Sequence, residues 1–274
     1  MAMKKNKNLF GVIGNPISHS KSPEIHILFS KQKNIPLIYK RLSAERPNFF
    51  EVVNNFILEG GKGMNVTLPF KEMAYDLSAN LSNEAKIAKA VNTLTFKNNQ
   101  IYGDNTDGVG FIYDIEKNYN QLLSDKKILI LGLGGATRGI LGPIIDKKPS
   151  LLRVLNRSEI NKVSIYKQYN FPEFLEIDNF KSLNDDKYDL IINATSAGKN
   201  SSLVKFPDKH MNKNAFFYDL SYDSKDTEFM LWAKKNGAQK LAQGWGMLVE
   251  QAAESFKIWH GERPITNNIR EEIQ

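Results

Sequence analysis

A short apolar run that leads straight into glycines constrains the fold of this chain more than any other feature. The run, Lys127 to Leu131, is typical of a strand that a parallel sheet buries on both faces. The sequence Gly-Leu-Gly-Gly-Ala-Thr follows at residues 132–137 and leads into a helical pattern. A strand, a glycine turn and a helix in this order predict a Rossmann-type unit, in which a pyrophosphate sits at the helix N-terminus.

The residues of this turn are candidates for binding a dinucleotide cofactor. Gly132, Gly134, Gly135 and Ala136 carry little or no side chain, so a pyrophosphate can approach the backbone and accept its N–H groups. The full spacing Gly-x-Gly-x-x-Gly fails at Thr137, and an ordinary turn is therefore the alternative. The flanking strand and helix favour cofactor binding.

The end of the next predicted strand indicates which dinucleotide is bound. An NAD site usually has an acidic residue about 20 residues beyond the glycines, where it binds the ribose hydroxyls. Here the strand predicted at 151–155 ends in Asn156, Arg157 and Ser158. An arginine beside a hydroxyl suits a 2′-phosphate, so the sequence favours NADP. The alternative is that Arg157 is a solvated surface charge and Ser158 caps a helix.

The length of the chain and its alternating strand and helix patterns predict an α/β fold of two domains. At 274 residues the chain exceeds the usual size of one core. Strands are predicted at 9–13, 37–42, 63–66, 92–96, 100–103, 127–131, 151–155, 175–177, 190–192 and 215–219. Helical patterns between them are typical of mostly parallel sheets.

We expect one domain to bind the substrate and the other to bind the cofactor. The substrate-binding and catalytic domain is predicted at 1–107, completed by 243–274, and the Rossmann-type domain at 108–242. A long helix predicted at 244–260, with Gly261 at its end, is expected to return the chain to the first domain.

Composition excludes several classes of protein. The absence of cysteine excludes disulfides and thiolate metal sites, and the four histidines have no ligand-like spacing, so no metal is expected. No apolar run approaches the ~20 residues of a membrane-spanning helix, and residues 1–8 do not resemble a secretory signal, so we expect a cytoplasmic protein without a membrane partner. The net charge of +7 favours anionic partners, but the lysines are dispersed, which favours a small anionic substrate over nucleic acid.

Residues 104–108, with the sequence Asp-Asn-Thr-Asp-Gly, form a cluster too polar for a core. Taken singly, Asp107 is explained as a helix cap and Lys71, at the start of a short predicted helix, as a surface charge. The same unit has further polar residues at strand ends or in loops: Asn65, Thr67, Asn92 and Asn105. Since ligands of α/β sheets bind at the carboxyl ends of strands, we interpret these residues as one site.

This set of side chains suits a polyhydroxylated substrate and proton transfer. A lysine paired with a carboxylate can relay the proton that accompanies hydride transfer to a carbonyl, and it can stabilise a developing alkoxide. Lys71 and Asp107 are therefore the candidate catalytic residues, and which of them is formally the acid stays open. Ser20 and Ser22 lie before a predicted helix, where they suit a carboxylate; by themselves they are better explained by capping of the helix by Ser22.

At this point the motifs resemble those of the shikimate dehydrogenase family over nearly the whole chain. The matching segments are residues 14–16 and 20–23, 63–71, 90–93, 103–108, the glycine turn, 156–158, 193–198, and 244–248 with Gln251. The resemblance implies reversible reduction of 3-dehydroshikimate to shikimate by NADPH, in the pathway to chorismate and aromatic amino acids.

The resemblance also implies roles for individual residues. Ser20 and Ser22 bind the substrate carboxylate, and Tyr222 helps to close that end. The residues around the substrate hydroxyls are Asn65, Thr67, Asn92, Asp107 and Gln251. Lys71 is the acid/base paired with Asp107, while Leu220 and Gly244 lie against the nicotinamide.

Three departures from the family pattern bear on these expectations. Asn161, with Lys162 beside it, stands where many NADP-using relatives have a second basic residue, which predicts a weaker preference for NADP. The segment 222–227 lacks a common proline, and Trp245 replaces a smaller apolar residue. The alternatives are a quinate/shikimate dehydrogenase that uses NAD or NADP, and a non-catalytic nucleotide-sensing module. Either a monomer or a homodimer is compatible with the sequence.

Overall fold

The computed structural model describes residues 8–157, 161–182, 186–195 and 211–273. The chain divides into two compact units, one made of 1–110 with 248–274 and the other of 111–247. The predicted cofactor residue Ser158 lies outside the described residues.

In the described part of the first unit, six strands form one sheet in the order β2-β1-β3-β5-β6-β4. The strands are β1 (Leu9–Gly14), β2 (Ile38–Ser43), β3 (Gly61–Val66), β4 (Asn80–Leu81), β5 (Thr93–Lys97) and β6 (Gln100–Asp104). The helices before β6 are α1 (Ser22–Lys33), α2 (Phe49–Leu58), α3 (Lys71–Leu77) and α4 (Asn83–Ala88). The pairs β1–β2, β1–β3 and β4–β6 are parallel, whereas β5 is antiparallel to both its neighbours, so the sheet is mixed with a parallel majority.

Strand directions bring the polar segments of the first unit to one edge of this sheet. Because β5 runs against β3 and β6, its beginning lies beside their carboxyl ends. The hairpin between β5 and β6 turns at Asn98 and Asn99, both with positive φ, as a two-residue turn requires. Residues after β1, β3 and β6 and before β5 therefore share an edge, as the sequence predicted for the candidate site.

Helix α9 (Trp245–His260) packs against this sheet through its part in the first unit. Trp259 donates from Nε1 to the Leu94 carbonyl at 3.1 Å. A Cβ on Gly63 would lie 2.5 Å from the same nitrogen, so only glycine admits this approach. The helix ends at Gly261, whose φ of +82° is the left-handed conformation of a helix terminus, as predicted. The last helix is α10 (Ile269–Ile273).

The second unit has the strand order of a Rossmann fold. Its described strands are β7 (Lys127–Leu131), β8 (Leu151–Asn156), β9 (Leu175–Asn179), β10 (Tyr188–Asn193), β11 (Met211–Asp219) and β12 (Lys240–Gln243). All neighbouring pairs are parallel, in the order β12-β11-β10-β7-β8-β9, which is the 3-2-1-4-5-6 order of dinucleotide-binding sheets. Helices α6 (Gly135–Asp146), α7 (Lys162–Gln168) and α8 (Glu228–Lys235) lie between the strands in sequence.

Strand β7 is buried on both faces, which explains its apolar sequence. Ile128 and Ile130 belong to one core cluster, while Leu129 and Leu131 belong to another on the opposite face. Along a strand, successive side chains point to opposite faces, so both faces of the sheet are covered. The prediction of a buried parallel strand is confirmed.

The structure differs from the sequence-based elements at three places. The strands β4 and β12 were not predicted, because both are very short. The helical pattern between the strands predicted at 100–103 and 127–131, residues 106–119, is α5 (Asp107–Tyr113) followed by a wider π-helical turn, Asp114–Asn118. Among the described residues, no helix has the length and apolarity needed to cross a membrane.

Candidate functional site

Lys71 and Asp107 form a buried ion pair at the carboxyl edge of the first sheet. Lys71 is the first residue of α3 and Asp107 the first of α5, so both project from helix starts next to this edge. The Lys71 Nζ donates to Asp107 Oδ2 at 2.5 Å, and the two side chains are 13% and 6% exposed. Neither residue is a free surface charge, because each carries the partner that burial requires.

Asn92 fixes the orientation of the Asp107 carboxylate. The Asn92 Nδ2 donates to Asp107 Oδ1 at 2.8 Å, which leaves Oδ2 to Lys71. The Asn92 Oδ1 in turn accepts from the backbone N–H of Thr106 at 2.9 Å and from the Thr93 hydroxyl at 2.8 Å. Since its oxygen has two donors, the amide of Asn92 cannot turn around without losing them. Asp107 is thus held with one oxygen toward an amide and one toward an ammonium.

Ser255 connects this pair to the other polar residues of the edge. Its hydroxyl lies 3.0 Å from Asn65 Nδ2, which donates to it, and 2.8 Å from Thr93 Oγ1. The same hydroxyl donates to the Gln251 carbonyl one helical turn earlier, at 3.0 Å. The Gln251 side chain reaches Asn92, whose Nδ2 lies 3.3 Å from Gln251 Oε1. One hydrogen-bond network therefore joins Asn65, Asn92 and Gln251.

Two serines and a tyrosine continue the polar surface along the sheet. Ser20 and Ser22 are buried, and the Ser20 hydroxyl donates to Ser22 Oγ at 3.3 Å. Arg41 stabilises the segment before α1 by donating two hydrogen bonds to the Ser20 carbonyl, at 2.6 and 3.0 Å. The Tyr39 hydroxyl donates to Asn65 Oδ1 at 2.6 Å. The serines and the amide of Asn65 are thus linked through β2.

The capping interpretation of Ser22 is wrong. The N-cap position of α1 is Lys21, whose side chain makes no capping hydrogen bond. Ser22 is the first helical residue, and its own N–H donates to the Ser20 hydroxyl at 3.3 Å. The Ser22 hydroxyl therefore does not cap the helix, and the binding of a carboxylate by the two serines stays a prediction.

The remaining residues of the predicted cluster take different roles. Thr67 is partly buried just after β3. Asp104 accepts from the Ser82 hydroxyl at 2.9 Å and from the N–H of Asn105, while burial raises the pKa of its carboxyl. Asn105 donates to the Ala90 carbonyl. Asp104 and Asn105 therefore hold loops in place, and Asp107 is the carboxylate that faces the lysine.

The glycine turn of the second unit leaves its backbone accessible. Gly132 has a φ of +97°, which favours glycine, and its N–H donates to the Leu155 carbonyl at 2.7 Å. A Cβ on Gly134 or Gly135 would meet no atom within 4 Å, so the space beside these residues, and beside the start of α6, is open. Thr137, which replaces the third glycine, is buried and donates its hydroxyl to the Gly132 carbonyl at 2.9 Å. This arrangement fits a pyrophosphate, which would occupy the space that side chains leave free.

Of the residues predicted to bind the phosphorylated ribose, the structure describes Asn156 and Arg157, and their surroundings differ. Asn156 accepts from the N–H of Leu133 at 3.1 Å and so supports the glycine turn, while Arg157 is exposed. Asn161 caps α7 by accepting from Ser164. Lys162 is paired with Asp178 at 2.5 Å. Because Lys162 is engaged by Asp178 and Arg157 is exposed, Arg157 stays the predicted partner of a 2′-phosphate.

The two residues predicted to lie against the nicotinamide are close to each other. A Cβ on Gly244 would lie 2.4 Å from the Leu220 carbonyl, so only glycine allows this contact. Tyr222 packs against Trp245, with ring centroids 4.7 Å apart, and Trp245 donates to the Asp223 carbonyl at 3.2 Å. Leu220 follows β11 and Gly244 follows β12, so both lie at the carboxyl edge of the second sheet with the glycine turn.

Sequence reasoning missed Tyr39 and Ser255. Ser255 lies four residues after Gln251, so helical spacing places both on one face of α9, and this signal could have found it. Tyr39 lies on β2, and only the register of β2, β1 and β3 brings it near Asn65. No local signal in the sequence indicates that contact.

Fold and site together define the class of the protein. A Rossmann sheet with an open glycine turn, in one chain with an α/β unit that holds a buried lysine–carboxylate pair, is the arrangement of a two-domain nucleotide-dependent oxidoreductase. Residues 12–94 match the family model of the shikimate dehydrogenase substrate binding domain, and residues 244–274 match the shikimate 5′-dehydrogenase C-terminal domain. The chain belongs to the shikimate dehydrogenase family, which confirms the resemblance found in its motifs.

Similar proteins span nearly the full length of the chain. The shikimate dehydrogenase (NADP(+)) of Nitrosomonas europaea is 44% identical over 266 residues, which cover 97% of this chain and 96% of that protein. The structure of an Ael1 enzyme from Pseudomonas putida has a TM-score of 0.89 and 38% identity, covering 98% of each chain. Shikimate 5-dehydrogenase from Thermus thermophilus, solved in complex with NADP(H) and shikimate, has a TM-score of 0.83 and 26% identity, covering 97% of this chain and 98% of the other.

Proposed function

We propose that this protein catalyses the reversible NADPH-dependent reduction of 3-dehydroshikimate to shikimate, in the pathway to chorismate and aromatic amino acids. The observation that carries the proposal is the buried pair of Lys71 and Asp107, oriented by Asn92, in a chain whose relatives are named shikimate dehydrogenase (NADP(+)). A non-catalytic nucleotide-sensing module would not require this ion pair of Lys71 and Asp107.

Lys71 and Asp107 carry the proton transfer. Reduction of a carbonyl requires a proton as well as a hydride, because the product is an alcohol. The Lys71 ammonium supplies this proton to the developing alkoxide and stabilises its negative charge, and in the reverse direction the amine takes the proton from the alcohol. Asp107 keeps the lysine in place and balances its charge inside a buried site.

The substrate is bound by groups matched to its functional groups. The hydroxyls of Ser20 and Ser22 donate hydrogen bonds to the carboxylate, and Tyr222 is proposed as a further substrate-binding residue. Residues proposed for the ring hydroxyls are Asn65, Thr67, Asn92, Asp107 and Gln251. These side chains suit hydroxyl groups because an amide offers both donors and acceptors, and a carboxylate offers acceptors.

The cofactor is proposed to bind at the carboxyl edge of the second sheet. Gly132, Gly134, Gly135 and Ala136 would hold the pyrophosphate, and Asn156, Arg157 and Ser158 the phosphorylated ribose. Leu220 and Gly244 would lie against the nicotinamide. NADP supplies the hydride in one direction and accepts it in the other. The pairing of Lys162 with Asp178 leaves Arg157 as the main selector for the 2′-phosphate, which agrees with a modest preference for NADP.

A cytoplasmic location and a monomeric or homodimeric state stay predictions.

The proposed activity is tested directly with the purified protein. Shikimate and NADP⁺ should give an increase in absorbance at the reduced nicotinamide band, and 3-dehydroshikimate with NADPH should give a decrease. Absence of turnover in both directions, by protein that is folded by circular dichroism, would contradict the proposal.

A further inference from the structure

We propose that Tyr39 is a positioning residue of the substrate site, because its hydroxyl donates a hydrogen bond to Asn65 Oδ1 at 2.6 Å and its ring stacks on His26. The tyrosine couples the residues proposed for the substrate carboxylate to a residue proposed for its ring hydroxyls. This inference rests on the proposed function and adds to it a residue outside the family motifs quoted above.

A directional chain of hydrogen bonds runs through Tyr39. The Ser20 hydroxyl donates to Ser22. Burial raises the pKa of Tyr39 well above its ordinary value, and a hydrogen bond that the Ser22 side chain donates to the phenol oxygen opposes this rise. Tyr39 then donates to Asn65 Oδ1 at 2.6 Å. A phenol that keeps its proton throughout the physiological range is a permanent donor to Asn65.

The register of the sheet brings the members of this chain together. Tyr39 pairs with Phe10 of β1, and Val12, two residues further along β1, pairs with Asn65 of β3. Side chains two residues apart on a strand share a face, and paired residues on neighbouring strands share it too. Tyr39 and Asn65 therefore lie on the same face of the sheet, with β1 between them, and the length of the tyrosine side chain spans that strand.

The tyrosine ring is fixed by aromatic neighbours. His26 of α1 stacks on it, with centroids 4.5 Å apart and ring planes 13° from parallel, and the ring centroid of Trp259 lies 6.5 Å away. His26 is itself fully buried. A ring held in this way points its hydroxyl in one direction, so little conformational entropy is lost when the hydroxyl bonds Asn65.

The bond from Tyr39 reinforces the orientation of the Asn65 amide that the Asn92 carbonyl, which can only accept, also requires. The two ends of a carboxamide have nearly the same shape, so partners alone fix its orientation. With Oδ1 bonded to Tyr39, Nδ2 donates toward Ser255, Thr93 and the Asn92 carbonyl. When a carboxylate binds the serines, the proton of Ser22 turns to it, and Tyr39 keeps Asn65 in position while this rearrangement occurs. Loss of the tyrosine hydroxyl should therefore weaken substrate binding at both ends.

The test is Tyr39→Phe, which removes one oxygen and keeps the stacked ring. We expect the KM for shikimate to rise about 3–10-fold, the range for one lost neutral hydrogen bond. We expect kcat within about 2-fold of wild type and the KM for NADP⁺ unchanged, since Lys71 and the glycine turn are untouched. The matched control, Tyr102→Phe, removes a hydroxyl that bonds Gln100 on the exposed hairpin, and should leave every kinetic constant unchanged.

A double-mutant cycle with Ser22→Ala tests the coupling itself. If the hydroxyls act in one chain, Tyr39→Phe should raise the KM for shikimate less in the Ser22→Ala background than in wild type. A purely structural role for Tyr39 would lower the thermal midpoint and leave the KM for shikimate unchanged at a temperature well below that midpoint. That result, or strictly multiplicative effects in the cycle, would overturn the inference.

The two proposals fail in different ways. Wild-type protein that turns over shikimate while Tyr39→Phe matches it contradicts only the role of Tyr39. Wild-type protein that does not turn over shikimate contradicts the proposed function, and the inference for Tyr39 then falls with it.

Discussion

The two units build their candidate sites by opposite means. In the first unit, buried polar side chains satisfy one another in a network that extends from Tyr39 through Asn65 and Asn92 to Lys71. In the second, the glycine turn is defined by missing side chains, with open space beside Gly134.

The difference reflects what each site must recognise. A small hydroxylated acid offers a few groups in fixed positions, so rigid donors and acceptors recognise it best, and proton transfer requires them at fixed distances. A pyrophosphate is recognised by backbone N–H groups, which are accessible only where side chains are absent. We therefore expect substitutions in the first unit to affect turnover and substrate binding, and those in the second to affect cofactor binding.

The largest effect is expected from Lys71→Ala. Loss of the acid/base group should lower kcat by about 10²–10⁴-fold. NADP⁺ binding, measured by calorimetric titration, should stay unchanged because the substituted residue lies in the first unit. Lys86→Ala, an exposed lysine of α4, is the control and should retain full activity. Near-normal turnover by Lys71→Ala would remove the proposed role of the ion pair.

Gly134→Val separates folding from cofactor binding in the second unit. The φ of −91° at Gly134 suits any residue, and a Cβ there meets no atom, so the thermal midpoint should change little. The valine would occupy the space proposed for the pyrophosphate, and the KM for NADP⁺ should rise by roughly 10-fold or more, the equivalent of about 1.4 kcal/mol. An unchanged KM for NADP⁺ would show that the open space is not the binding site.

Arg157→Ala should change the choice of cofactor. Loss of a charge-assisted bond to the 2′-phosphate should raise the KM for NADP⁺ by about 10-fold, while the KM for NAD⁺ stays the same. Lys162→Ala is the matched control. Because Lys162 is paired with Asp178, this substitution should change the KM for NADP⁺ and the KM for NAD⁺ little. Equal losses with NADP⁺ and NAD⁺ in Arg157→Ala would argue against recognition of the phosphate by this residue.

The smallest effect concerns acid stability and distinguishes the cores of the two units. Burial, the largest cause, lowers the pKa of His26 in the first unit to about 3, from 6.5 when unfolded. Below pH 6.5, His26 therefore binds a proton in the unfolded chain but stays neutral in the folded protein. The protein loses stability as the pH falls through this range. Between pH 7 and 5.5 this loss should be about 1 kcal/mol.

Urea unfolding of wild type and of His26→Phe at the two pH values measures this contribution as the difference between their pH dependences. Equal pH dependence in the two proteins would contradict the role of His26. In the second unit, burial instead raises the pKa of Asp219, so that group favours folding as the pH falls through its folded-state pKa toward 3.8.

The fold could be predicted from the sequence because its main signals are local. The apolar strand β7 and the glycine turn after it indicate the Rossmann unit within about a dozen residues. The hairpin between β5 and β6 depends on two residues only, Asn98 and Asn99. Strand β12 was missed since four residues carry too little pattern to distinguish a strand from a loop.

The candidate site was predictable only in part. The rule that ligands bind at the carboxyl ends of strands brought Lys71 and Asp107 together, and the structure pairs them. The contact of Tyr39 with Asn65 depends on the register of three strands, which no local pattern encodes. The cap assigned to Ser22 was wrong because the sequence did not reveal that the helix begins one residue earlier than a cap at Ser22 requires.

The central claim is that one unit selects shikimate and the other selects NADP. A four-way assay, with shikimate or quinate combined with NADP⁺ or NAD⁺, tests it most directly through kcat/KM at the reduced nicotinamide band. We predict the highest kcat/KM for shikimate with NADP⁺. A higher kcat/KM for quinate with NAD⁺ would contradict the account.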